Sequence, residues 1–266
     1  MAEPAGFSTI RYEALGAVAR LTFDRSKRAN ALDGAMLDEI GRALDVAEED
    51  EAVRALIVTG AGPAFSSGFD LKEQMERRPS GVAEWRPLLR KDFDTVMRFW
   101  RFPKPTIAAV RGACLAGACE LALACDLRIA SETASFGQPE INLGIIPGGG
   151  GTQRLTRLVG EGKAMEIILA GDMIDAPTAL NLGLVNHVFS PEELETKTFE
   201  LANKIAEKSP IALQMAKEAV KLASRSNLDE GLRREVDLFA ICFSTEDKEE
   251  GVAAFLEKRK PVFKGR

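Results

Sequence analysis

Two glutamates stand where a carboxylate is hard to place. Glu120 lies inside "GACLAGACELALACD", among Ala, Leu and Cys, and Glu140 precedes a hydrophobic run that ends in four glycines, Gly148 to Gly151. A carboxylate taken out of water must find a partner, take up a proton or face a cavity, and each outcome moves its pKa. Two such groups supply what general acid and base catalysis needs. The plainer alternative for Glu120 is a first-turn glutamate facing solvent and stabilised by the helix dipole. Gly117, three residues earlier, tilts the reading toward a cavity, because a glycine opening a helix lets a ligand approach unpaired amides. "AFSSGFDLKE" offers a second set of amides, with Ser66, Ser67 and Gly68 forming a small-residue turn before a helix that Asp70 would cap. Two helix-start amides aimed at one point would make an oxyanion hole, which stabilises charge developing on a carbonyl oxygen.

The glycine run itself is not a phosphate loop. It is followed by "TQR" with no lysine, and "GIIPGGGGTQ" meets only parts of the dinucleotide fingerprint. A tight turn opening a helix near Gly151 fits better. Leu143, Ile145 and Ile146 are then expected to pack beneath the turn, with Pro147 fixing it and Gly148 presenting an amide. The one histidine, His187, lies in a strand-like "LVNHVF", so no metal site and no Ser/His/Asp triad is signalled. Cys114, Cys119, Cys125 and Cys242 contain no CxxC pair and read as buried reduced thiols.

A chain of 266 residues, 45% hydrophobic and 28% charged, has the composition of a soluble globular protein with a sizeable core. Its net charge of −5 disfavours nonspecific nucleic-acid binding. The N-terminus "MAEPAGFSTIRYEALG" lacks a basic region followed by an apolar core, and the longest apolar stretch, Pro105 to Ala130, is interrupted by Arg111, Glu120, Asp126 and Arg128. No secretory signal or membrane span is therefore expected, and a cytoplasmic enzyme is the default class.

The elements that must position these residues follow from periodicity. Two short strands flank Gly16, Asp33 caps an amphipathic helix with Met36, Leu37, Ile40, Leu44 and Ala47 on one face, and "RALIVTG" is a buried strand. A helical stretch around Trp85 to Trp100 leads to the strand "PTIAAV", the turn "RGACLAG", a short helix "ACELALAC" and the strand "DLRIA". From about Gly160 the pattern becomes helical, interrupted only by "LVNHVF", and Leu232, Val236, Phe239 and Phe243 form one stripe of a long helix.

Taken in order, "FDRSKRANALD", "AFSSGFDLKE", "FPKPTIAAVRGACLAGACELALACD", "FGQPEINLGIIPGGGGTQRLTRLVG" and "KRKPVF" resemble the enoyl-CoA hydratase (crotonase) family over nearly the whole chain. The resemblance implies an α/β fold, a crotonase-like spiral of ββα units over residues 1–200 with a C-terminal helical oligomerisation region over 201–266. It implies an oxyanion hole from the amides of Phe69 and Gly117, and catalysis by Glu120 and Glu140, which orient and activate water and move a proton to the α-carbon. Gly148 would help to hold that water. Coenzyme A would be gripped by the segment containing Lys27, Arg28, Ala29 and Ala31, and by the loop containing Ala64, Ser67, Asp70, Leu71 and Lys72. The substrate would be an acyl-CoA thioester, with no separate cofactor and no metal, and the assembly a homotrimer or homohexamer.

Departures from the family pattern concern the pocket. Phe69 stands where simple short-chain hydratases usually have alanine, Ala116 and Ala118 replace glycines, and Arg111 replaces a common asparagine. The segment Glu73 to Trp100, which lines the acyl pocket in the family, is slightly longer. The expected activity is reversible addition of water to a 2-enoyl-CoA. Alternatives are an enoyl-CoA isomerase, which commonly keeps only one of the two glutamates, a hydratase of a cyclic or branched acyl-CoA, and, more remotely, an RNA-binding member of the fold.

Overall fold

The computed structural model describes residues 6–266. Strands β1 (Ile10–Leu15) and β2 (Val18–Phe23) pair antiparallel across Gly16, whose φ of +70° suits a residue without a side chain. Helix α1 (Gly34–Glu49) is capped by Asp33, which accepts from the Met36 amide at 2.9 Å, and it buries the expected face. Strand β3 (Ala55–Gly60) then runs parallel to β2. After α2 (Leu71–Arg77) and α3 (Val82–Arg101), strands β4 (Thr106–Val110) and β5 (Ala113–Leu115) lead into α4 (Gly117–Ala124). Strands β6 (Leu127–Ser131) and β7 (Ser135–Gly137) follow, then a 3-10 turn, Pro139–Leu143, and helices α5 (Gly151–Val159) and α6 (Glu161–Ala170). Strand β8 (Met173–Asp175), α7 (Ala176–Asn181), β9 (His187–Phe189) and α8 (Leu194–Ala206) complete the core.

The main sheet has the order β1-β2-β3-β4-β6-β9, parallel from β2 onward. Parallel strands are covered on both faces, and the alternation shows how. Leu56, Val58, Ala108 and Val110 join the core that contains α1, α3 and α4, whereas Ala55, Ile57, Ile107 and Ala109 pack with Leu194, Ala202 and Ala206 of α8. Helix α8 spans position 200 and belongs to the sheet. A second sheet, β5-β7-β8, corrects two expectations: "RGACLAG" contains a strand, and Met173–Asp175 adds another strand to the C-terminal part. Strands of three residues carry too little alternation to be read from sequence.

Helix α9 (Pro210–Leu222) is tied to the core where Lys217 and Lys221 both reach Asp126, at 2.6 and 2.8 Å. Helix α10 (Leu228–Phe243) packs on α9, and α11 (Glu246–Glu257) follows. The stripe of Leu232, Val236, Phe239 and Phe243 is at least half exposed. Cys114, Cys119 and Cys125 are buried and free, whereas Cys242 is only half-buried. Among the described residues no helix is long and apolar enough to cross a membrane.

Candidate active site

The first wall is knotted together by a buried asparagine. Ala29 and Asn30 follow a 3-10 turn, Ser26–Arg28, and both adopt left-handed conformations, φ +48° and +53°. Asn30, fully buried, donates to the carbonyls of Ala61 and Ala64 at 2.9 Å and accepts from the Arg25 amide. Arg25 in turn reaches Asp33 at 2.9 Å and Asp70 at 3.4 Å, the caps of α1 and α2. These contacts align the loop from Ala64 to Lys72 beside Ala29–Leu32. The Leu32 amide donates to the Gly68 carbonyl and the Asp70 amide to the Leu32 carbonyl. Successive backbone groups of an extended segment point to opposite sides, so the Phe69 amide between them faces away from Leu32.

The second wall begins with strain. Ala116 has φ +50° and ψ −130°, a region that residues with a side chain rarely occupy, and such conformations persist only where surrounding structure imposes them. Here the Ala116 amide is held by the Gly137 carbonyl at 3.0 Å, and the chain turns abruptly into α4. The Gly117 amide is the first of that helix and has no intrahelical acceptor. A Cβ placed on Gly68 would lie 3.3 Å from the Gly117 nitrogen, so the two loops are adjacent. Among the described residues, the amides of Phe69, Gly117 and Gly148 donate to no protein acceptor.

Glu120, one turn into α4, is 1% exposed. Its Oε1 accepts from the Gly151 amide at 2.7 Å, and a Cβ on Gly149 would come within 2.6 Å of its Oε2. Burial raises its pKa, while the amides of Gly151, Gly149 and Gly150 and the charge of Arg154 pull in the opposite direction. Arg154 also donates to the Gly149 carbonyl at 2.7 Å, bracing the turn. Glu140, on the 3-10 turn, is 6% exposed, and burial, with the nearby Glu120 charge, pushes it up to about 7. Gln138, wholly buried, places a side-chain amide 3.0 and 3.2 Å from the two Glu140 oxygens and, with its NH2 turned that way, donates to both.

Both carboxylates, together with Phe69, Gly117 and Gly148, line one cavity of about 960 Å³. Arg28, Ala31, Ser67, Asp70, Leu71 and Lys72 line the same cavity. Lys27, Ala29 and Ala64 do not: Lys27 is exposed on the preceding turn, and the carbonyls of Ala29 and Ala64 are engaged by Ser67 and Asn30. Leu143, Ile145 and Ile146 do not pack beneath the glycines as expected; they are 50–67% exposed and line the cavity. Gly144, at φ +73°, turns the chain between them. Gly149 to Gly151 cradle Glu120, while Gly148 faces the cavity. Sequence reasoning missed Arg25, Asn30, Gln138 and Phe93. Gln138 carried one available signal, an amide side chain set between Gly137 and Pro139.

Comparison with known proteins identifies the family and the fold. The model of the family described as enoyl-CoA hydratase/isomerase matches residues 13–266. The chain belongs to that family. It is 45% identical to a probable enoyl-CoA hydratase of Rhizobium meliloti, over 98% of this chain and 99% of the relative. It is 44% identical to a short-chain-enoyl-CoA hydratase of Clostridium acetobutylicum, over 92% and 93%. The crystal structure of an enoyl-CoA hydratase from Bacillus anthracis superposes with a TM-score of 0.92 at 40% identity, covering 97% of this chain and all of that one. The two sheets and the C-terminal helices are thus the crotonase fold, and the buried carboxylates fall within a family of hydro-lyases.

Proposed function

We propose that this enoyl-CoA hydratase adds water reversibly across the Cα=Cβ bond of a 2-enoyl-CoA, using Glu120, Glu140 and the amides of Phe69, Gly117 and Gly148. The observation that carries the assignment is the convergence, on one cavity, of two carboxyls with raised pKa values and amides without protein acceptors. The Phe69 and Gly117 amides hold the thioester oxygen and strengthen Cβ as an electrophile. Water, positioned between the carboxyls and the Gly148 amide, forms a bond from its oxygen to Cβ and gives a proton to Glu120. The Cα=Cβ electron pair moves onto the thioester as an enolate, and Cα then takes a proton from Glu140. A carboxyl that titrates near 7 suits that last transfer. The expected result is loss of the conjugated-thioester absorbance when crotonyl-CoA is added, and a folded protein inert toward every 2-enoyl-CoA would overturn the reading. Retention of both glutamates favours hydration over isomerisation.

Arg28 and Lys72, cationic residues at the cavity wall, would meet coenzyme A phosphates, with Lys27 beside Arg28 on the same turn. Ala31, Ser67, Asp70 and Leu71 would flank the pantetheine arm, and Ala29 and Ala64 would shape its loops. The exposed stripe of α10 supports a homotrimer or homohexamer, since an apolar helix face of this kind is ordinarily covered by another protomer. Sedimentation at micromolar concentration checks this: a monomer would reject it. A cytoplasmic location is part of the same proposal.

A further inference from the structure

We propose that Phe69 and Phe93 form a steric filter over the reacting carbons, admitting 2-enoyl-CoAs that are unbranched at Cα and Cβ and rejecting those with a methyl group at either. The inference rests on the hydratase reading above. The Phe69 ring lies on Gly117: a Cβ added there would be 2.3 Å from its Cδ2 and Cε2 atoms. The Phe93 ring lies on the glycine turn, where a Cβ on Gly148 would be 2.6 Å from its Cζ and one on Gly149 3.0 Å from its Cδ1. The two rings meet edge to face, with centroids 5.3 Å apart and planes at 79°.

The pair therefore runs from the oxyanion amide at one end to the Glu120 cradle at the other. A substrate whose carbonyl oxygen reaches Gly117, and whose Cβ meets water beside Glu120, must place C1, Cα and Cβ along this span. Neither ring can retreat into the backbone it already touches, and neither can turn without giving up its contact with the other. A methyl on Cα or Cβ would have to displace an aromatic ring. Farther out the wall changes character. Trp85 and Leu89 of α3 and the half-exposed Ile145 and Ile146 line it, and these side chains can shift outward as a chain lengthens. The site thus reads branching at the reacting carbons and tolerates length.

The test measures kcat/KM for crotonyl-CoA, 2-octenoyl-CoA, 2-methylcrotonyl-CoA and 3-methylcrotonyl-CoA in the wild type, Phe93→Ala, Phe93→Leu and Phe69→Leu. The two linear esters should agree within about tenfold, and the methyl-branched esters should be slower by about 10- to 200-fold, the range over which a pocket discriminates one methyl group. Each Phe93 substitution should raise the branched-to-linear ratio by about tenfold or more, and Phe69→Leu should do so mainly for the Cα-methyl ester. Phe93→Leu, which keeps most of the buried apolar volume, decides the matter if Phe93→Ala fails to fold by circular dichroism. Equal wild-type rates on branched and linear esters would overturn the filter while leaving the hydratase intact, as would variants that slow all four esters by one common factor. A folded wild type that hydrates none of the four would overturn the hydratase reading and the filter with it.

Discussion

Glu120 and Glu140 face one cavity but are held by different means. Glu120 rides on α4 and is clasped by the backbone of a glycine turn, with Gly151 donating at 2.7 Å and Gly149 leaving no room for a side chain. Glu140 rides on a five-residue 3-10 turn, and its oxygens face the side-chain amide of Gln138. A backbone amide in a packed turn cannot rotate and always donates. A side-chain amide offers a donor on one edge and an acceptor on the other, so it can serve an ionised or a protonated carboxyl. On the proposed mechanism the fixed group would position water and take its proton, and the group near neutrality would pass a proton to Cα.

The largest effect that bears on this comparison is removal of either carboxylate. Glu120→Gln and Glu140→Gln should each lower kcat for hydration by about 10²- to 10⁴-fold, the usual contribution of a positioned acid or base. Binding of coenzyme A, followed by calorimetry, should change little in either, because neither carboxylate is expected to touch the nucleotide. Substantial turnover in both variants would end the two-carboxylate mechanism.

Disturbing the clasp without removing the carboxylate should do less. In Gly149→Ala the new Cβ would meet Glu120 Oε2 at 2.6 Å and Phe93 at 3.0 Å, so the carboxylate must move. Small displacements of a reacting group cost up to about 100-fold, and a loss of about 10- to 100-fold in kcat is expected. Gly162→Ala is the control, since a Cβ there meets nothing within 4 Å and Gly162 lies in α6. Its activity should be unchanged and its stability slightly raised. If Gly149→Ala behaved like this control, the backbone clasp would have no catalytic consequence.

A smaller, reversible effect is expected from pH. With Glu140 pushed up to about 7, the protonated form that the proposed mechanism requires as donor to Cα is depleted above neutrality. The kcat/KM for hydration should fall above about pH 7, approaching a tenfold loss per pH unit. Glu120 is also raised and interacts with Glu140, so the profile reports apparent constants of the pair. A flat profile from pH 6 to 9 would show that Glu140 is not the proton donor.

What could be read from the sequence was whatever local pattern records. Glu120 betrayed itself by being charged in an apolar helix, the caps Asp33 and Asp70 by their places before helices, and the β3 and β4 strands by runs of apolar residues. What could not be read depends on residues far apart in the chain. Asn30 matters because it meets Ala61 and Ala64, and Phe93 because α3 carries it back over Gly148, and no window of sequence contains either meeting. Leu143, Ile145 and Ile146 misled for the opposite reason: hydrophobic residues ordinarily go inside, but here they line an open cavity where an apolar ligand can meet them.

The smallest effect is thermodynamic and tests whether Glu140 is strained by its surroundings. Its pKa is about 7 in the folded chain, above the ordinary 4.5, so the folded state holds this proton more tightly than the unfolded one does. Stability tied to that proton is fully present below pH 4.5 and is lost as pH rises through 7, because the carboxylate must then ionise in a poorly solvated site. Glu140→Gln removes the titration while keeping nearly the same shape. The variant should match the wild type in Tm near pH 4 and exceed it above pH 7 by up to about 10 °C, the scale expected for at most about 3 kcal/mol in a protein of this size. The increment should open between pH 4.5 and 7 and then level off. The corresponding change at Glu120 should behave differently, because a Gln Oε1 can still accept from Gly151 but its Nε2 would face the amides of Gly149 and Gly150 as a second donor, so Glu120→Gln should gain less or lose stability. An increment for Glu140→Gln that is independent of pH, or that shrinks as pH rises, would show that the buried carboxyl carries no ionisation cost.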